Sequence, residues 1–331
     1  MPGSTILLCS EPDEFEAALR HGGHVELLVT GGGDFQSRLI RIALPRISLL
    51  TVEETLSRIA FVSPATGWLV VVVPLAREPS EVWAGIPLRD GTIITLGAGQ
   101  PVHARTLGPC HSGVICLAGK DLAGYGRTLV GPGFSIPAGL QFWRPEPPAL
   151  RTLKRLLKAA ARVTAARPAT PANAGAARGL EQELITALVD CLSVLPVEQY
   201  GARWERGVRS MARLETILRA HPELFPSVPD LSANLGVSIR ALWSYCDKHL
   251  GMGPSRYLGL RQMQRIHRRL RHADPGGAGV SEIARRYGVK APGRFARSYR
   301  EFFGELPSAT MRRAARPGAI GLCPQVKQPK E

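Results

Sequence analysis

The chain has 331 residues and carries 42 Lys and Arg against 27 Asp and Glu, a formal charge of +15. That length leaves room for two domains, each burying its own core. The most apolar run, Trp68–Leu75, is far below the roughly 20 residues a membrane-spanning helix needs.

Acidic residues begin at Glu11, so no basic-then-apolar leader opens the chain. The six cysteines (Cys9, Cys110, Cys116, Cys191, Cys246 and Cys323) are scattered, without a CxxC pair or zinc spacing. Both features point to a cytoplasmic protein in a reducing compartment. The charge is uneven. Residues 1–150 hold 11 Lys and Arg against 13 Asp and Glu, which leaves 31 against 14 in residues 151–331. The positive field therefore belongs to the C-terminal half, and a basic domain attracts phosphate backbones by releasing their counterions.

Residues 11–20 predict a short helix with acidic residues in its first turn. Short runs rich in Val, Ile, Leu and Thr follow at Val25–Thr30, Phe35–Leu44, Ile47–Val52, Leu69–Val73, Thr92–Leu96 and Ser112–Leu117. Gly and Pro separate them, as in a mainly β sandwich or barrel over residues 1–148. Gly31–Gly33 reads as a turn rather than a phosphate cradle, since no Lys-Ser/Thr follows. His21 and His24 read as loop residues after a helix. His103 and His111 flank a predicted strand, but the His-x-His plus Glu arrangement of a metal-binding cupin is missing. No metal, cofactor or catalytic set is expected from these spacings.

Residues 149–166 predict a helix with Leu150, Leu153, Leu157, Ala160 and Thr164 on one face. That stripe suits a twin in a homodimer, the chain's own barrel, or an anionic membrane surface. Residues 167–178, rich in Pro, Ala and Gly, are expected to be mobile. A helix over about 180–195 then carries Leu184, Leu188 and Leu192, and residues 203–221 turn Met211, Leu214 and Leu218 inward.

Two helix-turn-helix patterns follow. In the first, Ser227 and Asp230 have capping-box spacing, Pro229 falls in the first turn, Gly236 supplies a left-handed turn, and Ser238 caps the next helix. The second runs from Gly279 through Gly288 to Gly304, and Gly304-x-x-Pro307 echoes Gly251-x-x-Pro254. Between them a basic helix repeats Tyr257, Leu260, Met263, Ile266 and Leu270 along one side. At about 1.5 Å per residue it spans roughly 28 Å, near the roughly 34 Å between successive major-groove faces.

At these residues the chain resembles the AraC/XylS family of bacterial transcription regulators. The resemblance is carried by Leu235–Ser238, by Leu250–Leu258 and by Gly293–Gly304, and covers about the last third of the sequence. It implies base contacts from Arg240, Trp243 and Ser244 in the first motif and from Arg294, Arg297 and Ser298 in the second. Arg285, Arg286 and Lys290 are the expected phosphate contacts. Three positions depart from the family pattern: Cys246 and Val289 replace the usual Phe, and Lys290 takes the usual Ser cap position.

The resemblance also implies a cupin-like β domain at 1–148 that senses a small-molecule effector. A helical connector would cover 149–202, a DNA-binding domain 203–316 with motifs at about 227–251 and 279–304, and a disordered tail 317–331. The expected fold class is α+β, a mainly β sensor plus an all-α double helix-turn-helix domain. The expected partners are double-stranded DNA, an effector, a second copy of the chain and RNA polymerase, with no membrane. Two other readings stay open: a cupin-type metal-dependent enzyme fused to a DNA-binding domain, and an architectural protein that binds DNA without sequence choice.

Overall fold

A computed structural model describes residues 2–76, 78–97, 99, 101–197, 200–220, 226–273 and 278–314. The tail expected at 317–331, and Cys323 within it, lie outside the described residues.

The N-terminal half is a sandwich of two antiparallel sheets. The larger contains β1 (Gly3–Cys9), β3 (Ser37–Ala43), β4 (Ile47–Glu54), β11 (Cys110–Ala118), β6 (Trp68–Pro74), β9 (Ile93–Leu96) and β12 (Leu140–Trp143), in that spatial order. The smaller runs β2 (Gly23–Val29), β5 (Arg58–Pro64), β10 (Val102–Thr106), β7 (Glu81–Trp83) and β8 (Ile86–Pro87). Helix α1 (Pro12–Leu19) lies beside β2.

Both faces of the larger sheet are covered, which explains the unbroken apolar run in β6. Leu69, Val71 and Val73 point to a helical layer, while Val70 and Val72 point to the second sheet. A strand alternates sides with period two, so only a doubly covered strand reads as continuous Val and Leu. The helical layer is α2 (Gly119–Leu129), α3 (Pro147–Ala166) and α4 (Ala174–Cys191). Leu150, Leu153, Leu157, Ala160 and Thr164 of α3 are all buried here, in a core shared with the larger sheet and α4. Each fully buried Leu of this kind contributes about 1.5–3 kcal/mol.

Of the three places open to the α3 stripe it takes the chain's own β domain, and one expectation about the segment after it is corrected. The α3 stripe is consumed inside its own chain, so it is not open to a twin helix or a membrane surface. Residues 167–178 do not form a featureless loop. They hold a short 3-10 turn, Thr170–Ala172, and then Asn173, whose side chain accepts from Gly175 N and Ala176 N and starts α4 six residues earlier than expected. The Asn cap supplies a start signal that outweighs the poor core-forming composition.

The C-terminal half is helical: α5 (Ala202–Ala220), α6 (Val228–Leu235), α7 (Ile239–Leu250), α8 (Pro254–Arg271), α9 (Val280–Arg286), α10 (Pro292–Phe303) and α11 (Pro307–Ala314). It rests on the smaller sheet, and Leu28 and Ile59 of that sheet join its core beside Met211 and Leu214.

Candidate nucleic-acid interface

The first helix-turn-helix is α6 and α7. Ser227 closes a reciprocal capping box: its hydroxyl accepts from Asp230 N at 3.3 Å, and Asp230 Oδ2 accepts from Ser227 N at 3.2 Å. Gly236 then turns the chain at φ +66° and Ser238 Oγ accepts from Ala241 N at 3.1 Å. Leu242, Cys246, His249 and Leu250 bury one side of α7. Arg240, Trp243 and Ser244 stand exposed on the other sides. Trp243 has two roles available. It is 47% exposed, yet its ring lies where a Cβ on Gly253 would come within 2.1 Å. The chain can close α7 onto α8 only because residue 253 has no side chain.

The second motif, α9 and α10, turns at Gly288 with φ +78°. Neither helix has a side-chain cap: Gly279 and Ala291 occupy those positions, and α10 begins at Pro292, two residues after Lys290. Tyr299 anchors α10. It is fully buried, its hydroxyl lies 2.6 Å from His267 Nδ1 and 2.8 Å from Thr310 Oγ1, and Phe303 stacks on His267 at 4.1 Å. Burial holds His267 down to a pKa of about 3, so the ring is neutral. Arg294, Arg297, Ser298, Arg285, Arg286 and Lys290 are exposed. Arg286 is already paired with Glu282 at 2.5 Å.

Helix α8 joins the motifs. Its 18 residues make a rod of about 27 Å. Its apolar stripe packs inward, but much of its positive charge is not offered to solvent. Arg261 Nη2 lies 2.7 Å from Glu26, Arg268 Nε 2.5 Å from Asp13, and Arg271 Nη1 2.9 Å from Glu11, all in the N-terminal half. Gln264 Nε2 adds a bond to Val29 O at 2.6 Å. At the centre lies Glu215 of α5, fully buried. Its carboxylate takes Arg261 at 2.6 Å, His103 Nε2 at 3.1 Å and the Tyr257 hydroxyl. Burial pushes the Glu215 carboxyl up, but Arg261 and the bonds from His103 and Tyr257 outweigh it and hold the group well below the usual range.

Sequence reasoning did not find this buried network. The signal was present: Glu215 sits four residues after Met211 and one after Leu214, on the inward stripe of α5. A carboxylate on such a stripe needs a buried partner. His103, weighed as a metal ligand, is placed against Glu215, while His111 lies 3.6 Å from Glu53. Among the described residues no group of three or more His, Cys, Asp or Glu is arranged for a metal ion, and no helix is long and apolar enough to cross a membrane.

Residues 231–313 match the family described as a helix-turn-helix domain. The chain is 40% identical over 95 residues to the probable thc operon regulatory protein of Rhodococcus erythropolis, covering 29% of each protein. It is 31% identical over 134 residues to the XylDLEGF operon transcriptional activator 3 of Pseudomonas putida, covering 40% of each. It thus spans well under half the length of these curated relatives. The solved structure of the AraC-like transcriptional activator CuxR is similar at a TM-score of 0.40 and 12% identity, over 81% of this chain and 96% of that one. Residues 231–313 are a helix-turn-helix domain.

Proposed function

We propose that the whole chain is a sequence-specific bacterial transcription regulator, cytoplasmic and non-enzymatic, controlled by a small molecule held in its N-terminal half. The observation that carries this reading is the pair of helix-turn-helix motifs with open second helices. Arg240 and Arg297 are free of carboxylate partners among the described residues, and both side chains reach solvent. An exposed arginine on such a helix can make a bidentate contact to guanine in the major groove. Arg294, Ser244, Ser298 and Trp243 complete the reading surfaces, and Arg285, Arg286 and Lys290 meet phosphates.

Strand β10 supplies the route from effector to DNA. Ala104 and Thr106 face the interior of the sandwich, whereas His103 and Arg105 face the helices. Arg105 packs against Gly251 at the end of α7, the first recognition helix. An occupant that moves β10 therefore acts on both Glu215 and α7. Such control needs unequal binding to two arrangements of the halves.

Binding assays on base-substituted duplexes test the reading. Arg297→Ala is expected to lose about 1–3 kcal/mol at one base position and little elsewhere. Equal loss on every duplex would make Arg297 a phosphate contact. A homodimer and contact with RNA polymerase fit the reading and would be tested by sedimentation with and without DNA and by transcription in a purified system.

A further inference from the structure

Between the two sheets lies a cavity of about 100 Å³. Its walls are apolar, with Leu50, Val52, Ala60, Val70, Val72 and Val114 among them. One end is not. Glu54 and Glu81 both line it and both are more than nine-tenths buried, at 3% and 7% exposure. Arg58 Nε donates to Glu54 Oε2 at 2.7 Å. Glu81 Oε1 accepts from the Cys110 thiol at 2.9 Å and from the Ser112 hydroxyl. Glu54 Oε1 and Glu81 Oε2 have no hydrogen-bond partner.

This is an unfinished arrangement. Two carboxylates share one end of an apolar chamber, one guanidinium pairs directly with the first, and neutral donors alone reach the second. The other nearby arginine, Arg105, turns its guanidinium outward onto Gly251, within reach of the Asp247 charge. A buried carboxylate oxygen without a donor is costly, and a charged donor satisfies it better than a neutral one. An anionic occupant would meet two like charges. A neutral alcohol offers one donor and no compensating charge. An ammonium group offers three donors and the missing positive charge. A further donor without a partner belongs to a lining residue, Trp83 Nε1, so a hydroxyl or ether oxygen on the same molecule would be accommodated. A rigid apolar cavity of about 150 Å³ accepts benzene, so this one suits a body of about five heavy atoms.

We infer that the inter-sheet cavity is a site for a short-chain primary amine, with its ammonium group between Glu54 and Glu81 and its alkyl part against the valine walls. This deepens the effector-controlled reading above, since it names the chemistry of the effector, and rests on it for its regulatory meaning only.

The test uses the full chain without DNA and three probes of four carbons each: isobutylamine, isobutanol and isobutyrate, titrated by calorimetry at neutral pH. The amine is expected to bind at least tenfold tighter than the alcohol, and isobutyrate not at all. Glu81→Gln is expected to reduce amine affinity at least tenfold and to reduce the preference for the amine over the alcohol. Alcohol binding equal to the amine, or tighter binding of isobutyrate, would overturn the inference. If Glu81→Gln does not fold, the rank order on the unaltered chain still decides. DNA binding is read separately on the same preparation. A chain that binds amine but no specific duplex removes the regulator and keeps the cavity's chemistry; one that binds a specific duplex but prefers the alcohol does the reverse.

Discussion

The two helix-turn-helix copies share a turn geometry and differ in nearly everything that holds them. The first has a capping box, a serine cap on its recognition helix, and four buried residues along that helix. It also leans on the N-terminal half, where Lys248 packs on Gly85 and Gly251 meets Arg105. The second has no side-chain cap on either helix and hangs its recognition helix on one fully buried residue, Tyr299. Local opening costs less where few buried contacts and caps resist it. The first copy is thus the more firmly fixed of the two, by its caps and its buried helix face.

The largest expected effect comes from the network under the first copy. Glu215→Ala leaves Arg261 buried without its closest carboxylate and should cost about 3–5 kcal/mol by denaturant unfolding. A cost under about 1 kcal/mol would mean that the halves are not braced there. The same group sets an acid limit. Its carboxyl is held below the ordinary value of 4.5, so its stabilisation is complete above that pH and is lost as pH falls through the lower, folded value. Stability of the unaltered chain should therefore fall more steeply below about pH 4.5 than that of Glu215→Gln.

Smaller effects sharpen the contrast between the copies. Ser238→Ala should cost about 1 kcal/mol through the lost cap on α7. Ala291→Ser, which offers α10 the cap it lacks, should stabilise by about 0.5–1 kcal/mol. Hydrogen exchange would show the change confined to 292–303. Least of all, Arg286→Ala should alter folding stability by less than about 1 kcal/mol, since its pair with Glu282 is exposed.

Much of the helical half was legible because its signals are local. Ser227, Gly236, Ser238, Gly251 and Gly304 act within a few residues of themselves, and the structure places each in the expected cap or turn. The sheets were half legible. β4, β6 and β11 announce themselves by apolar runs. β10 does not, because His103 and Arg105 look like solvent-facing residues and instead meet helices more than a hundred residues away. β7 and β8 are three and two residues long, too short for any period to register. The exposed arginines of the second helices were named by the family resemblance, whereas the partners of the α8 arginines had no local signal: Arg261, Arg268 and Arg271 are largely occupied by Glu26, Asp13 and Glu11. Charge in a sequence does not say which partner claims it.

The central claim, that two separate helices read two stretches of one duplex, is tested most directly by selecting bound sites from random DNA with the unaltered chain, Arg240→Ala and Arg297→Ala. The account predicts two conserved blocks about 10–10.5 base pairs apart, with each substitution erasing information in a different block. A single block, or uniform weakening of every site by both substitutions, would contradict it.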